Sequence, residues 1–193
     1  MTGTLHRRSL RLPEYDYSQI GTYFVTICVH RRERLLGSIR NVEMQLNEYG
    51  QIVAECWQWL PGAYPYVCLD EWVIMPNHLH GIIVINGRGG SRTAPIKEFK
   101  AKPLGRLIGA FKTVSTKKIN AFRQIKGAAF WQRNFFEHVV RNEESLNRIR
   151  EYIITNPQRW DLDRENPRAV GKDKFDSWLA GFKSIHSDQE KIQ

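Results

Sequence analysis

His78 and His80 flank Leu79 in the run Met75-Pro76-Asn77-His78-Leu79-His80-Gly81. The next four residues, Ile82, Ile83, Val84 and Ile85, are all β-branched, so the segment reads as a buried strand. Residues two apart on a strand share a face, and both imidazoles therefore project together from the sheet. Two neutral imidazoles so placed can share a divalent cation. Their apolar neighbours make the site partly buried, where a histidine pair without partners is costly. The ordinary alternative is a pair of hydrogen-bonded core histidines.

A second pair lies downstream. Asn142 is an N-cap candidate for a helix over 142–155, with Glu143 and Glu144 in the first turn where the helix dipole favours acids. Tyr152 and Asn156 are four apart at its end and lie on one face, one turn apart. The amide oxygen of Asn156 suits Mg²⁺ or Mn²⁺. A phenol beside a bound cation ionises more readily than its usual pKa of about 10 allows. A phenolate can attack phosphorus and form a covalent phosphotyrosine, while the cation polarises the phosphate. Two imidazoles and one oxygen leave positions open for substrate, unlike a closed cysteine-rich zinc site. The ordinary reading makes Tyr152 a helix-to-sheet packing residue.

The elements that must position these residues follow from periodicity and breakers. Strands are expected over 22–29, 67–75, 78–85 and 135–140, a short hairpin over 37–46, and helices over 47–60, 104–122 and 142–155. Pro61-Gly62 and Asn156-Pro157 are expected to end two of those helices, and 87–102 is a loop rich in Gly, Ser, Pro and basic residues. This order predicts an α+β fold, a ferredoxin-like antiparallel sheet with helices packed on one face. Residues 1–20 read as a basic arm, 21–160 as the domain, and 161–193 as a tail in which Phe175, Trp178, Leu179 and Phe182 suit a short helix.

The 193 residues carry a net charge of +9, which favours a polyanionic partner, nucleic acid first. Arg7, Arg8 and Arg11 stand in the arm, and from Arg88 to Lys126 Glu98 is the only acid. Arg106, Lys112, Lys117 and Lys118 of that stretch are expected to hold phosphates. Trp131, with Tyr15, Tyr17 and Phe135, is expected to stack on unpaired bases. Cys28, Cys56 and Cys68 form no CxxC pair and read as free thiols. No apolar run approaches the roughly 20 residues of a membrane span, and the start has no secretory pattern. A cytoplasmic protein without membrane contact is expected.

The segment Val73-Ile74-Met75-Pro76-Asn77-His78-Leu79-His80-Gly81 resembles the His-hydrophobic-His motif of the HUH endonuclease superfamily. Phe130-Trp131-Gln132, Glu137-His138, Arg141-Asn142, Tyr152-Ile153 and Asn156-Pro157 resemble the C-terminal half of single-tyrosine transposases, most nearly the REP-associated tyrosine transposases. The resemblance runs over 21–157. It implies a ferredoxin-like core that uses Mg²⁺ or Mn²⁺ and cuts and rejoins single-stranded or hairpin DNA, as a monomer or homodimer, through a 5′-phosphotyrosine. His78 and His80 match the metal pair, Tyr152 the nucleophile and Asn156 the third ligand. No role transfers to His138. The alternatives are a hairpin-binding protein that does not cut, and a phosphodiesterase that uses activated water without a covalent intermediate.

Overall fold

The β-branched and aromatic run near residue 22 forms β1 (Gly21–Cys28) in a computed structural model that describes residues 19–86, 101–171, 173–179 and 181. A small hairpin follows, β2 (Gly37–Arg40) and β3 (Glu43–Leu46). Then come α1 (Glu48–Ala63), β4 (Val67–Met75), β5 (His78–Ile85), α2 (Leu104–Phe122), β6 (Phe136–Val140) and α3 (Glu143–Thr155). Asn47 caps α1 by accepting from the Gly50 N–H at 3.0 Å. Asn142 caps α3 by accepting from the Ser145 N–H at 2.8 Å. Each cap contributes about 1 kcal/mol. The expected stop at Pro61 is not observed, since α1 runs through it to Ala63. A proline in a last turn removes one helical hydrogen bond and leaves the rest intact.

The main sheet has the order β4-β5-β1-β6 with every neighbouring pair antiparallel. The two crossovers β1–α1–β4 and β5–α2–β6 give the expected ferredoxin-like arrangement. Alternation along the strands divides the core in two. On one side Tyr23, Val25, Ile27, Leu79 and Ile83 meet Val53, Trp57 and Leu60 of α1 and Leu107, Ile108 and Phe111 of α2. On the other, Phe24 and Ile82 meet Ile149, Tyr152 and Ile153 of α3, with Phe175 and Leu179. The expectation that the helices pack on one face is corrected: the two crossover helices share one face, but α3 and a helix over 174–179 cover the opposite one, where the even-numbered apolar residues of β1 and β5 need cover as well. His78 and His80 lie in register with Cys28 and Thr26 of β1 and project to that second face.

The arm residues Arg7, Arg8 and Arg11, together with Tyr15, Tyr17 and most of the expected basic loop, lie outside the described residues. No described helix is long and apolar enough to cross a membrane.

Gly81 separates the histidines from the Trp57 side of the sheet. A Cβ at this position would stand 2.6 Å from Trp57 Cζ2 and 3.3 Å from Trp72 Cβ, and Trp57 is fully buried. Gly81→Ala is therefore expected to destabilise the protein by about 1–3 kcal/mol through overpacking, read as a lower urea midpoint. An unchanged midpoint would mean that the indole yields without cost.

Candidate metal centre

Asn77 sets the chemistry of His78. Its amide nitrogen donates to the carbonyls of Glu165 at 2.7 Å and Arg32 at 3.2 Å. That fixes the amide and turns its oxygen toward His78 Nδ1, 2.8 Å away. An amide oxygen only accepts, so the network assigns the imidazole proton to Nδ1 and leaves Nε2 a bare lone pair. Nε2 faces Asp163 Oδ2 at 3.6 Å. Neither atom has a hydrogen-bond partner among the described residues, and both side chains are fully buried. Each unsatisfied buried acceptor costs about 1–3 kcal/mol, more when charged.

A positive charge between them would relieve both atoms, and a proton is the simplest choice. Burial lowers the His78 pKa to about 3, outweighing the neighbouring Asp163 carboxylate that raises it. The ring is therefore neutral at neutral pH. Burial alone would raise the Asp163 carboxyl, but His78, His80 and the Glu165 N–H, which donates to Oδ1 at 2.6 Å, hold it well below the usual carboxylate range. Two imidazoles and a carboxylate form a donor set for a divalent metal. His80 Nε2 lies 3.7 Å from the same Asp163 oxygen. The ligand atoms of His78, His80 and Asp163 all fall within 4.8 Å of one another. The residues fit a cation.

His80 Nδ1 is hydrogen-bonded to Thr26 Oγ1 at 2.9 Å, which orients the ring from the neighbouring strand. The hydroxyl of Tyr152 lies 3.2 Å from His80 Nε2, in the same chain. The phenol is 2% exposed, with the Phe175 ring stacked on it at 3.8 Å. Burial, and then the Asp163 and Asp176 carboxylates, push its pKa well above the ordinary value. The resting phenol keeps its proton.

Periodicity gives no sign of Asp163, which falls in the polar, aperiodic segment after residue 160. The one available signal was the alternation Asp161, Asp163, Glu165 in an otherwise basic chain. Its segment is tied down on both sides. Glu165 pairs with Arg32 at 2.7 Å and Arg164 at 3.1 Å, and Asn166 accepts from Arg34 at 2.8 Å. Asn156, the third ligand expected from sequence, is 1% exposed. Its amide oxygen and nitrogen both lack partners among the described residues.

No protein-family model matches the chain. An uncharacterised protein of Haemophilus influenzae is 40% identical over 171 residues, covering 84% of this chain and 94% of the relative, and the two form one family. A second Haemophilus influenzae protein, provisionally described as a REP-associated tyrosine transposase, is 23% identical over 143 residues, covering 74% of this chain and 73% of that protein. The solved structure of a REP-associated tyrosine transposase bound to a REP hairpin shares the fold, with a TM-score of 0.52 and 20% identity over 78% of this chain and 73% of that one. The chain is thus similar to REP-associated tyrosine transposases in sequence and shares their fold.

The residues expected from sequence to hold DNA differ in their surroundings. Arg106 and Lys117 are exposed on α2. Lys118 is exposed and lies 3.7 Å from Glu55. Lys112 is different. Its ammonium donates to the carbonyls of Gln132 at 2.9 Å, Arg133 at 3.4 Å and Asn134 at 3.0 Å, and burial lowers its pKa to about 8. It braces the chain before β6. The stacking role expected for Trp131 is corrected: the ring is 6% exposed in the α2 core, and its Nε1 donates to Ser115 at 2.9 Å. The apolar contacts that make tryptophan a good base platform also make it a good core residue.

The facing acceptors give a test. In Asp163→Asn an amide N–H can donate to His78 Nε2, so the metal-free variant is expected to be at least as stable as the parent, by up to about 1–3 kcal/mol. Mn²⁺ is expected to raise the melting temperature of the parent and to leave that of the variant unchanged. A variant less stable without metal, or one still stabilised by Mn²⁺, contradicts the assignment.

Proposed function

We propose that this protein is a metal-dependent single-stranded DNA endonuclease and strand transferase that cuts beside hairpins through Tyr152. The observation that carries the reading is the Tyr152 hydroxyl 3.2 Å from His80 Nε2, beside the buried His78–His80–Asp163 group. His78, His80 and Asp163 would hold the ion, with the unpartnered Asn156 amide as a further oxygen donor. A bound Mg²⁺ or Mn²⁺ would polarise the scissile phosphate and favour the ionised phenol.

The chain's own groups do the rest. Asp163 and Asp176 oppose ionisation of Tyr152 in the resting chain, so a cation that offsets their charge also makes the nucleophile available. The phenolate oxygen attacks phosphorus, the bond to the 3′-oxygen breaks, and that oxygen leaves and takes a proton from water to become a 3′-hydroxyl. The product is a 5′-phosphotyrosine, and attack by another 3′-hydroxyl reverses the step and rejoins strands. Arg106, Lys117 and Lys118 supply positive charge along α2, with Arg7, Arg8 and Arg11 in the N-terminal segment. Such contacts hold the backbone without reading sequence.

One observation favours a second reading, a hairpin-binding protein that does not cut. The Phe175 ring covers Tyr152, and a protein that only binds needs no open phenol. A denaturing gel separates the two readings. Hairpin DNA with single-stranded flanks is expected to give a covalent adduct with Mn²⁺ and none with EDTA. Tyr152→Phe, which loses only a hydroxyl, should form no adduct yet bind the same DNA within about twofold. Retention without an adduct by the parent protein would leave the binding-only reading standing.

A further inference from the structure

The segment that carries Asp163 has a second use on its outer side. A cavity of about 340 Å³ opens between it and β2, lined among others by Arg34, Ser38, Trp160, Asp161, Asn166 and Arg168. Ligand pockets run from roughly 300 to 1,000 Å³, so this one has room for a single nucleotide and none for a duplex. Its position ties it to the metal centre. The Trp160 ring stacks against His78 at a centroid distance of 6.1 Å and an interplanar angle of 27°, and Arg34 lies 5.3 Å from the same ring. One indole separates the cavity from the candidate cation site.

The walls are built. Asn166, 4% exposed, accepts from Arg34 Nη2 at 2.8 Å and from the Arg168 N–H at 3.0 Å, and donates to the Trp160 carbonyl at 2.9 Å. These bonds satisfy Asn166 and fix the tryptophan, one guanidinium and the backbone of the second arginine. The Arg168 side chain and the Asp161 carboxylate have no partner among the described residues and are exposed. Two arginines alone would suit a phosphate. A carboxylate beside them disfavours one, and it suits the N–H donors of a base.

We infer that this cavity takes one unpaired nucleobase of the strand whose phosphate reaches the His78–His80–Asp163 group, and that guanine matches it best. The inference rests on the function proposed above. Guanine offers two acceptors, N7 and O6, to a guanidinium fork, and its N1–H and N2–H donors can meet Asp161. Adenine puts an N–H where guanine has O6, facing an arginine that only donates. Pyrimidines lack the N7 acceptor. The Trp160 edge adds apolar contact on one side.

The test uses the full chain carrying Tyr152→Phe, with Mn²⁺, and a DNA hairpin with short thymine flanks through which a single guanine is moved. Fluorescence anisotropy gives Kd for each position, and adenine and cytosine then replace guanine at the best one. One position is expected to favour guanine by roughly 5- to 150-fold, the range of a well-formed bidentate base contact. Adding Arg168→Ala or Asp161→Asn should bring that ratio close to one. The ratio separates base reading from bulk charge, because Asp161→Asn removes a negative charge and on electrostatics alone would tighten every probe equally. Base-blind binding, or a preference that survives both substitutions, overturns the pocket and leaves the proposed function intact. Failure to bind the hairpin at all overturns both.

Discussion

A bare imidazole nitrogen and a carboxylate oxygen confront each other 3.6 Å apart in the interior of this protein. In water such a pair would be harmless. Here neither atom has any other partner among the described residues, and the surrounding apolar groups magnify both the repulsion and the desolvation. The rest of the site follows from how that confrontation is maintained. Asn77 prevents the imidazole from presenting an N–H to Asp163, because its own nitrogen is committed to two carbonyls. Glu165 holds the carboxylate in place from two residues away, through its backbone N–H. Burial keeps the ring from taking a second proton.

That arrangement draws on parts of the chain far apart in sequence. β5 supplies the histidines, β1 supplies Thr26, α3 brings the phenol, and the segment after α3 returns with Asp163. Because β5 lies between β1 and β4, the imidazoles emerge from the middle of the sheet rather than its edge, where strand fraying would loosen them. α3 follows edge strand β6 and lies across the same face, so the phenol and the imidazoles meet within one chain. The Phe175 ring on Tyr152 closes the apolar cluster.

Much of this was legible in the sequence because it obeys local rules. The His-x-His spacing places two imidazoles on one face whatever the strand pairs with, and Asn47 and Asn142 announce their helices. Tyr152 could be placed on α3 from caps and periodicity, and beside the histidine pair through family resemblance. Four features were not legible, each for a physical reason. Asp163 sits in a segment held by side-chain pairings to residues 32 and 34, which no periodicity reports. Trp131 offered an aromatic ring suited equally to a base or to a core, and burial decides only in three dimensions. Lys112 looked like one phosphate ligand among many, but an ammonium on the buried side of its helix turn serves backbone carbonyls instead. The assignment of α3 to the histidine face likewise depends on which edge β6 joins, a long-range choice.

The central claim is that a divalent cation occupies the space between His78 Nε2, His80 and Asp163 Oδ2. Crystals of the protein soaked in Mn²⁺ and measured at an anomalous wavelength test it most directly. The account predicts one strong anomalous peak at ligand distance from both imidazoles and the Asp163 carboxylate. Ordered density showing those side chains with no peak between them, or manganese bound elsewhere while His78 and Asp163 keep their confrontation, would contradict it.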